Sequence, residues 1–177
     1  MRGGAIYVAS VRDLRIFDIR DPRRPERVGA YFTPQDSGGQ GAFALADGTA
    51  LMAGGSSGLR LLDLSDPRNP FELSALMPPA NMASIAVGAR QQHMFRLDQM
   101  FDFGSQIGLQ LVAFDSVDPI HPREVSSFQT PAIHGHEVPG GALVIDGNDL
   151  YVADPLTGLY ILRSFEGPHV YLPLVFR

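Results

Sequence analysis

The chain contains no cysteine, so neither a disulfide framework nor a thiolate metal site can be built from it. That absence leaves the redox compartment open, because an exported fold with an adequate core needs no bridges. Lysine is missing too: all 14 basic residues are arginine, set against 19 acidic ones, for a formal net charge of −5. No cationic stripe exists to neutralise phosphates, which makes nucleic acid a poor partner. Long hydrophobic runs are also lacking. Nothing approaches the ~20 apolar residues of a membrane-crossing helix, so no transmembrane segment is expected. The N-terminal "MRGGAIYVASVRDLR" has too short an apolar run for a signal-peptide core, so no signal peptide is expected on this chain. Nor is there a nucleophile elbow, phosphate loop or dinucleotide fingerprint: "GGSSG" has no following lysine, "GGQGAF" opens a strand, and Ser56 and Ser57 have no nearby base in sequence. No cofactor is expected.

What the chain does have is repetition. The stretch "FDIRDPRRPERVGAYFTP" (Phe17 to Pro34) returns as "LDLSDPRNPFELSALMPP" (Leu62 to Pro79) and as "FDSVDPIHPREVSSFQTP" (Phe114 to Pro131). Asp18, Asp63 and Asp115 align, as do Asp21-Pro22, Asp66-Pro67 and Asp118-Pro119, then Pro25, Pro70 and Pro122. The period of roughly 40–50 residues is that of a four-stranded propeller blade. Runs such as "AIYVAS", "LRIFDI", "LRLLDL" and "LQLVAF" are too short for ordinary helices and are bounded by turn residues, so the content is all β. Asp47-Gly48 and Asp146-Gly147 sit between apolar runs as hairpin turns, glycine supplying the positive φ. In Asp-Pro-x-x-Pro the carboxylate can bond the backbone ahead of it, and the second proline starts an edge strand.

A blade then reads inner strand, hairpin, second strand, third strand, Asp-Pro turn, outer strand. Strands are expected near 5–9, 14–19 and 26–32; 42–46, 50–54, 59–64 and 71–77; 83–88, 93–97, 109–115 and 124–129; and 142–146, 150–154, 159–163 and 169–175. The fold class is an all-β propeller of about four blades of four antiparallel strands, either partial or four-bladed. The first unit lacks its inner strand.

The segments "IYVASVRDLRIFDIRDPRRPERVG", "GGSSGLRLLDLSDPRNP" and "LYVADPLTGLYIL" resemble the LVIVD repeat of bacterial and archaeal surface-associated β-propellers. Residues 1–167 then form the blades, about 1–35, 36–79, 80–131 and 132–167. Residues 168–177 form a C-terminal tail that is the candidate for the last outer strand. The fourth unit departs from the pattern, with Arg163 where the other three have aspartate. The resemblance implies a location at the cell surface or outside the cell, and it carries no established reaction. Because the chain starts mid-blade, the expectation is either missing N-terminal blades of a longer propeller or a head-to-tail homodimer.

Three groups of residues invite a functional reading. The turn residues Asp18, Asp21, Pro22, Pro25, Asp63, Asp66, Pro67, Pro70, Asp115, Asp118, Pro119 and Pro122 suggest a ligand array, but each aspartate is needed to build its own turn, and the three turns sit on different blades. The segment "AIHGHEVPGG" brings His134, His136 and Glu137 together as weak metal-ligand candidates. The third unit exceeds the others mainly in Leu97 to Gly108, a loop expected to face solvent and to present Asp98, Met100, Phe101, Asp102 and Phe103 as a candidate binding surface. In propeller connectivity this loop and the histidine segment share one rim. The reading that follows is a non-enzymatic scaffold presenting a loop-decorated rim to a protein or glycan. The alternative is a propeller hydrolase or lactonase with a metal in the axial channel.

Overall fold

The computed structural model describes residues 4–10, 13–33, 42–46, 48–100, 107–133, 140–163 and 173–176. Among them there is no helix, hence none long and apolar enough to cross a membrane. Fifteen strands form four antiparallel meanders. Sheet 1 holds β1 (Ala5–Ala9), β2 (Asp13–Asp18) and β3 (Glu26–Phe32). Sheet 2 holds β4 (Ala42–Ala46), β5 (Thr49–Ala53), β6 (Leu59–Asp63) and β7 (Phe71–Leu76). Sheet 3 comprises β8 (Met82–Arg90), β9 (His93–Met100), β10 (Leu109–Asp115) and β11 (Arg123–Gln129). Sheet 4 comprises β12 (Ala142–Asp146), β13 (Asp149–Asp154), β14 (Gly158–Arg163) and β15 (Pro173–Phe176). β8 lies against both β4 and β12, so the innermost strands are neighbours and the sheets stack in chain order. This is the blade arrangement of a propeller, all-β as the repeats predict.

Two boundaries differ from the sequence expectation. β9 continues through Met100 because Asp98, Gln99 and Met100 stay in register with β8 and β10. The predicted loop from Leu97 therefore begins as strand, and Asp98 and Met100 are not loop residues. In sheet 4 the outer strand expected near 169–175 is described over Pro173–Phe176 as β15, with Pro173 opposite Leu162. The Asp146-Gly147 hairpin closes with Gly147 at φ 55. Asp47 lies outside the described residues.

Three cores fill the spaces between successive sheets. Leu14 and Ile16 of sheet 1 meet Ala50, Met52 and Leu62 of sheet 2. Leu51, Leu59 and Leu61 on the other face of sheet 2 meet Val87, Met94, Val112 and Phe114 of sheet 3. Phe95, Leu97, Leu109 and Leu111 on the far face of sheet 3 meet Leu150, Val152, Tyr160 and Leu162 of sheet 4. Alternation along each strand sends successive side chains to opposite faces, so each middle sheet supplies half of two cores.

The repeated turns are built identically. The first aspartate of each copy accepts a bond from the backbone N–H two residues ahead: Asp18 from Arg20 at 2.9 Å, Asp63 from Ser65 at 2.6 Å, Asp115 from Val117 at 2.9 Å. The second does the same: Asp21 from Arg23 at 3.0 Å, Asp66 from Arg68 at 2.9 Å, Asp118 from Ile120 at 3.0 Å. Just before each turn the pairing with the outer strand slips by one residue, between Ile16 and Phe17, Leu61 and Leu62, and Ala113 and Phe114. The residues left over are Val28, Leu73 and Val125, and all three pack onto the inter-sheet cores. A bulge inserts one residue and bends its strand; here it turns an apolar side chain of the outermost strand inward in three successive blades.

Two predictions follow from these contacts. At Gly29 in β3 an added Cβ would strike the Pro67 carbonyl oxygen of the neighbouring sheet's turn. Gly29→Ala should thus destabilise by about 1–3 kcal/mol, the scale of overpacking, read as a lower urea midpoint with unchanged far-UV signal; an unchanged midpoint refutes the close approach. The second concerns pH. The Arg68 N–H and then the Asn69 amide hold the Asp66 carboxyl below its ordinary value, and His121 followed by the Ile120 N–H does so for Asp118. A depressed carboxylate contributes stability that is present above its unfolded pKa and is lost as pH falls through the folded one. Asp66→Ala should be less stable than wild type near neutrality, with the difference narrowing between about pH 5 and pH 2; a pH-independent difference contradicts the turn assignment.

Candidate functional site

β9 and β10 end at one rim of sheet 3, where β8 and β11 also turn. Ser84, at the start of β8, is bridged to Gly55 of sheet 2, with Gly55 N–H to Ser84 O at 3.1 Å and the reverse at 2.9 Å. Ile107 and Ile133 exchange backbone bonds of 2.9 and 3.0 Å, and Thr130 Oγ1 accepts the Leu109 N–H at 3.0 Å. The segments containing Phe101, Asp102 and Phe103 and containing His134, His136 and Glu137 lie outside the described residues. Ile107 and Ile133, the described residues that follow the first segment and precede the second in sequence, are hydrogen-bonded neighbours.

Asp98 sits beneath this rim with its side chain wholly buried. Its Oδ2 accepts the Arg96 Nε–H at 2.7 Å and its Oδ1 accepts the Ser84 hydroxyl at 2.7 Å. Arg96 in turn donates to the Leu76 carbonyl of sheet 2 at 3.0 Å, with its guanidinium 5.2 Å from the centre of the Phe114 ring. Burial pushes the Asp98 carboxyl above its ordinary value, against the pull of Arg96 and Ser84. What this group contributes to stability therefore declines as pH rises through that raised pKa. Every charge in the cluster is answered from within it, and the cluster ties sheet 2 to sheet 3. Asp98 is thus not available to a partner as a surface residue, whereas Met100 at the strand's end is half-exposed.

Pairing register makes Asp154 in β13 the counterpart of Asp98, since Arg163 faces Asp149 as Asp115 faces His93. Sheet 4 uses it differently. Its carboxylate accepts from the Leu156 N–H at 2.9 Å and the Thr157 hydroxyl at 2.7 Å. Burial pushes Asp154 up, but the bonds from Thr157, Leu156 and Thr130 outweigh it and leave the carboxyl lowered. Ser57 is buried in the turn entering β6, and its hydroxyl has no hydrogen-bond partner. No group of three or more His, Cys, Asp or Glu side chains that could hold a metal occurs among the described residues.

The opposite rim carries a feature the sequence did not flag. A cleft of about 270 Å³ opens between sheets 2 and 3, lined by Thr49, Leu51, Gln92, His93, Met94 and Ser116 among others. Gln91 of the β8–β9 turn also lines it and, at φ 52, is the one non-glycine with positive φ among the described residues, where the first hairpins of sheets 2 and 4 have an Asp-Gly pair in sequence. "ARQQHMF" carries no turn signal that would have pointed there.

The stacked antiparallel sheets, with small-residue inner strands side by side, define a propeller-type repeat protein. Within it, residues 1–33, the span that contains the strands of sheet 1, match the LVIVD repeat family, as the resemblance drawn from the turn copies implies. Among solved structures, apo AztD from Citrobacter koseri aligns with a TM-score of 0.32 and 12% identity over 90% of this chain and 56% of that one. A crystal structure of Citrobacter koseri AztD aligns with a TM-score of 0.30, 12% identity and the same coverage. The chain thus spans little more than half the length of these structures. No curated protein matches it.

Removing the Asp98 carboxylate strands a buried guanidinium. Asp98→Ala should cost about 3–5 kcal/mol, whereas an Arg96→Met/Asp98→Leu pair should recover most of that loss. Urea denaturation of the single and double variants measures the coupling; additive losses would contradict a closed ion pair.

Proposed function

We propose that the protein is a non-enzymatic binding scaffold, acting at the cell surface or outside the cell, that presents the Ile107–Ile133 rim of sheet 3 to a protein or glycan. The observation that supports this reading most directly is the backbone pairing of Ile107 with Ile133 at this rim, two residues that border in sequence the segments carrying Phe101, Phe103, His134 and His136. The rim stands on a frame whose Asp98 charge is fully paired. A rigid frame with variable connections at one end is how loop-borne recognition is usually arranged. The aromatic residues Phe101 and Phe103 and the imidazoles of His134 and His136 supply chemistry suited to protein or carbohydrate contact. On this reading Asp98 acts only through the frame.

The test separates rim from frame. A variant with Phe101 and Phe103 changed to serine, and a second with His134 and His136 changed to serine, are applied to a glycan array and a displayed peptide library beside the wild type. Binding by wild type that falls at least tenfold in either variant, with unchanged thermal unfolding, supports the rim. Equal binding by all three, or metal-dependent turnover of lactone substrates by the wild type, overturns the scaffold reading.

A further inference from the structure

The two outermost sheet faces are apolar and lie open. On sheet 1 the uncovered face carries Ile6, Val8, Phe17 and Phe32, of which Val8 is 47% and Phe32 65% exposed. On sheet 4 it carries Val144, Tyr151, Leu159 and Ile161, with Val144 58% and Leu159 41% exposed.

Register shows what these faces are. Asp18 stands opposite Ala5 as Asp63 stands opposite Thr49, so Ile6, Val8 and Phe17 are the counterparts of Ala50, Met52 and Leu62. Those three are fully buried because sheet 1 covers them. By the same counting Tyr151, Ala153 and Leu159 are the counterparts of Phe95, Leu97 and Leu111, which are buried because sheet 4 covers them. The open face of sheet 1 is the one that in later sheets receives the preceding sheet, and the open face of sheet 4 is the one that in earlier sheets receives the next. They are the two halves of an interface that this chain already makes three times.

We propose that the sheet 4 face of one copy packs on the sheet 1 face of a second, head to tail, so that two copies form a closed ring with twofold symmetry. Charge favours this pairing over like with like. Around the sheet 1 face lie Arg15 and Arg27 with Asp13; around the sheet 4 face lie Asp146 and Asp149 with Arg163. One face has an excess of positive charge and the other of negative, so each repels itself and attracts the other. A sheet face of this kind offers roughly 600–800 Å², about one side of a standard interface, and the ring makes the contact twice.

Sedimentation velocity and light scattering at tens of micromolar test the proposal with surface variants, checked for folding by circular dichroism. Wild type should run at twice the 19.2 kDa chain mass. Val8→Glu should be a monomer and Val144→Glu should be a monomer, because each contact needs one face of each kind. An equimolar mixture of the two should recover a dimer, through the intact sheet 4 face of the first and the intact sheet 1 face of the second. A monomeric wild type overturns the proposal, and so does an open series of growing species. A Val8→Glu protein that remains dimeric would show like faces pairing and would overturn it equally.

Discussion

A sheet with apolar side chains on both faces cannot stand alone in water, and this architecture depends on that constraint. Sheet 3 illustrates it: Val87, Met94, Val112 and Phe114 point one way and Phe95, Leu97, Leu109 and Leu111 the other. A leucine-sized side chain gains about 1.5–3 kcal/mol on full burial, so each face makes a neighbouring sheet energetically necessary. Stacking in chain order follows, because the Asp-Pro turns keep each meander short and in the sequence each outer strand is followed by the innermost strand of the next sheet. Innermost strands are then brought together, and "ASIAV" within β8 fits the crowding of an axis shared with β4 and β12.

The turn and the bulge act as one device. Two successive carboxylates fix the backbone at each turn, and one residue before it the third strand loses register with the outer strand. Without the slip, Val28, Leu73 and Val125 would follow the strict alternation of the outer strand; with it, they reach the core. The turn therefore does more than reverse the chain. It also sets which apolar residue of the outermost strand seals the gap between blades, and it explains why the aspartates recur together with a β-branched or leucine residue seven positions after the second one.

The blades were legible because the information lay in local chemistry repeated at fixed spacing: Asp-Pro pairs, Asp-Gly hairpins and short apolar runs with a period of two. The end of β9 was not. "LDQM" reads as polar and loop-like, and nothing in sequence says that Asp98 would be held by Arg96 two residues before it and by Ser84 fourteen residues before it. A buried ion pair hides this way because its two members stand on one strand and face the neighbouring sheet, with Ser84 of the adjacent strand beside them, and each residue alone looks like surface. The cleft beside His93 was hidden for another reason: the turn at its edge holds Gln91 in a left-handed conformation that many residue types disfavour and that no residue there announces.

Asp98 and Asp154 show how a repeat departs from itself. The same position in successive sheets is a carboxylate, yet one is spent on a guanidinium that bridges two sheets and the other on the turn that follows it, and burial wins in the first while hydrogen bonds win in the second. The difference lies in what occupies the position two residues earlier. Arg96 brings a charge into sheet 3 toward Leu76 of sheet 2; its counterpart Val152 brings none, because the face it enters is the dry core shared with sheet 3. Repeat position thus dictates where a polar group sits, and the neighbouring sheet dictates what it must do there. The same logic applies at the ends of the stack, where repeat position places Val8 and Val144 on surfaces made for a neighbour and nothing within the described residues of this chain supplies one.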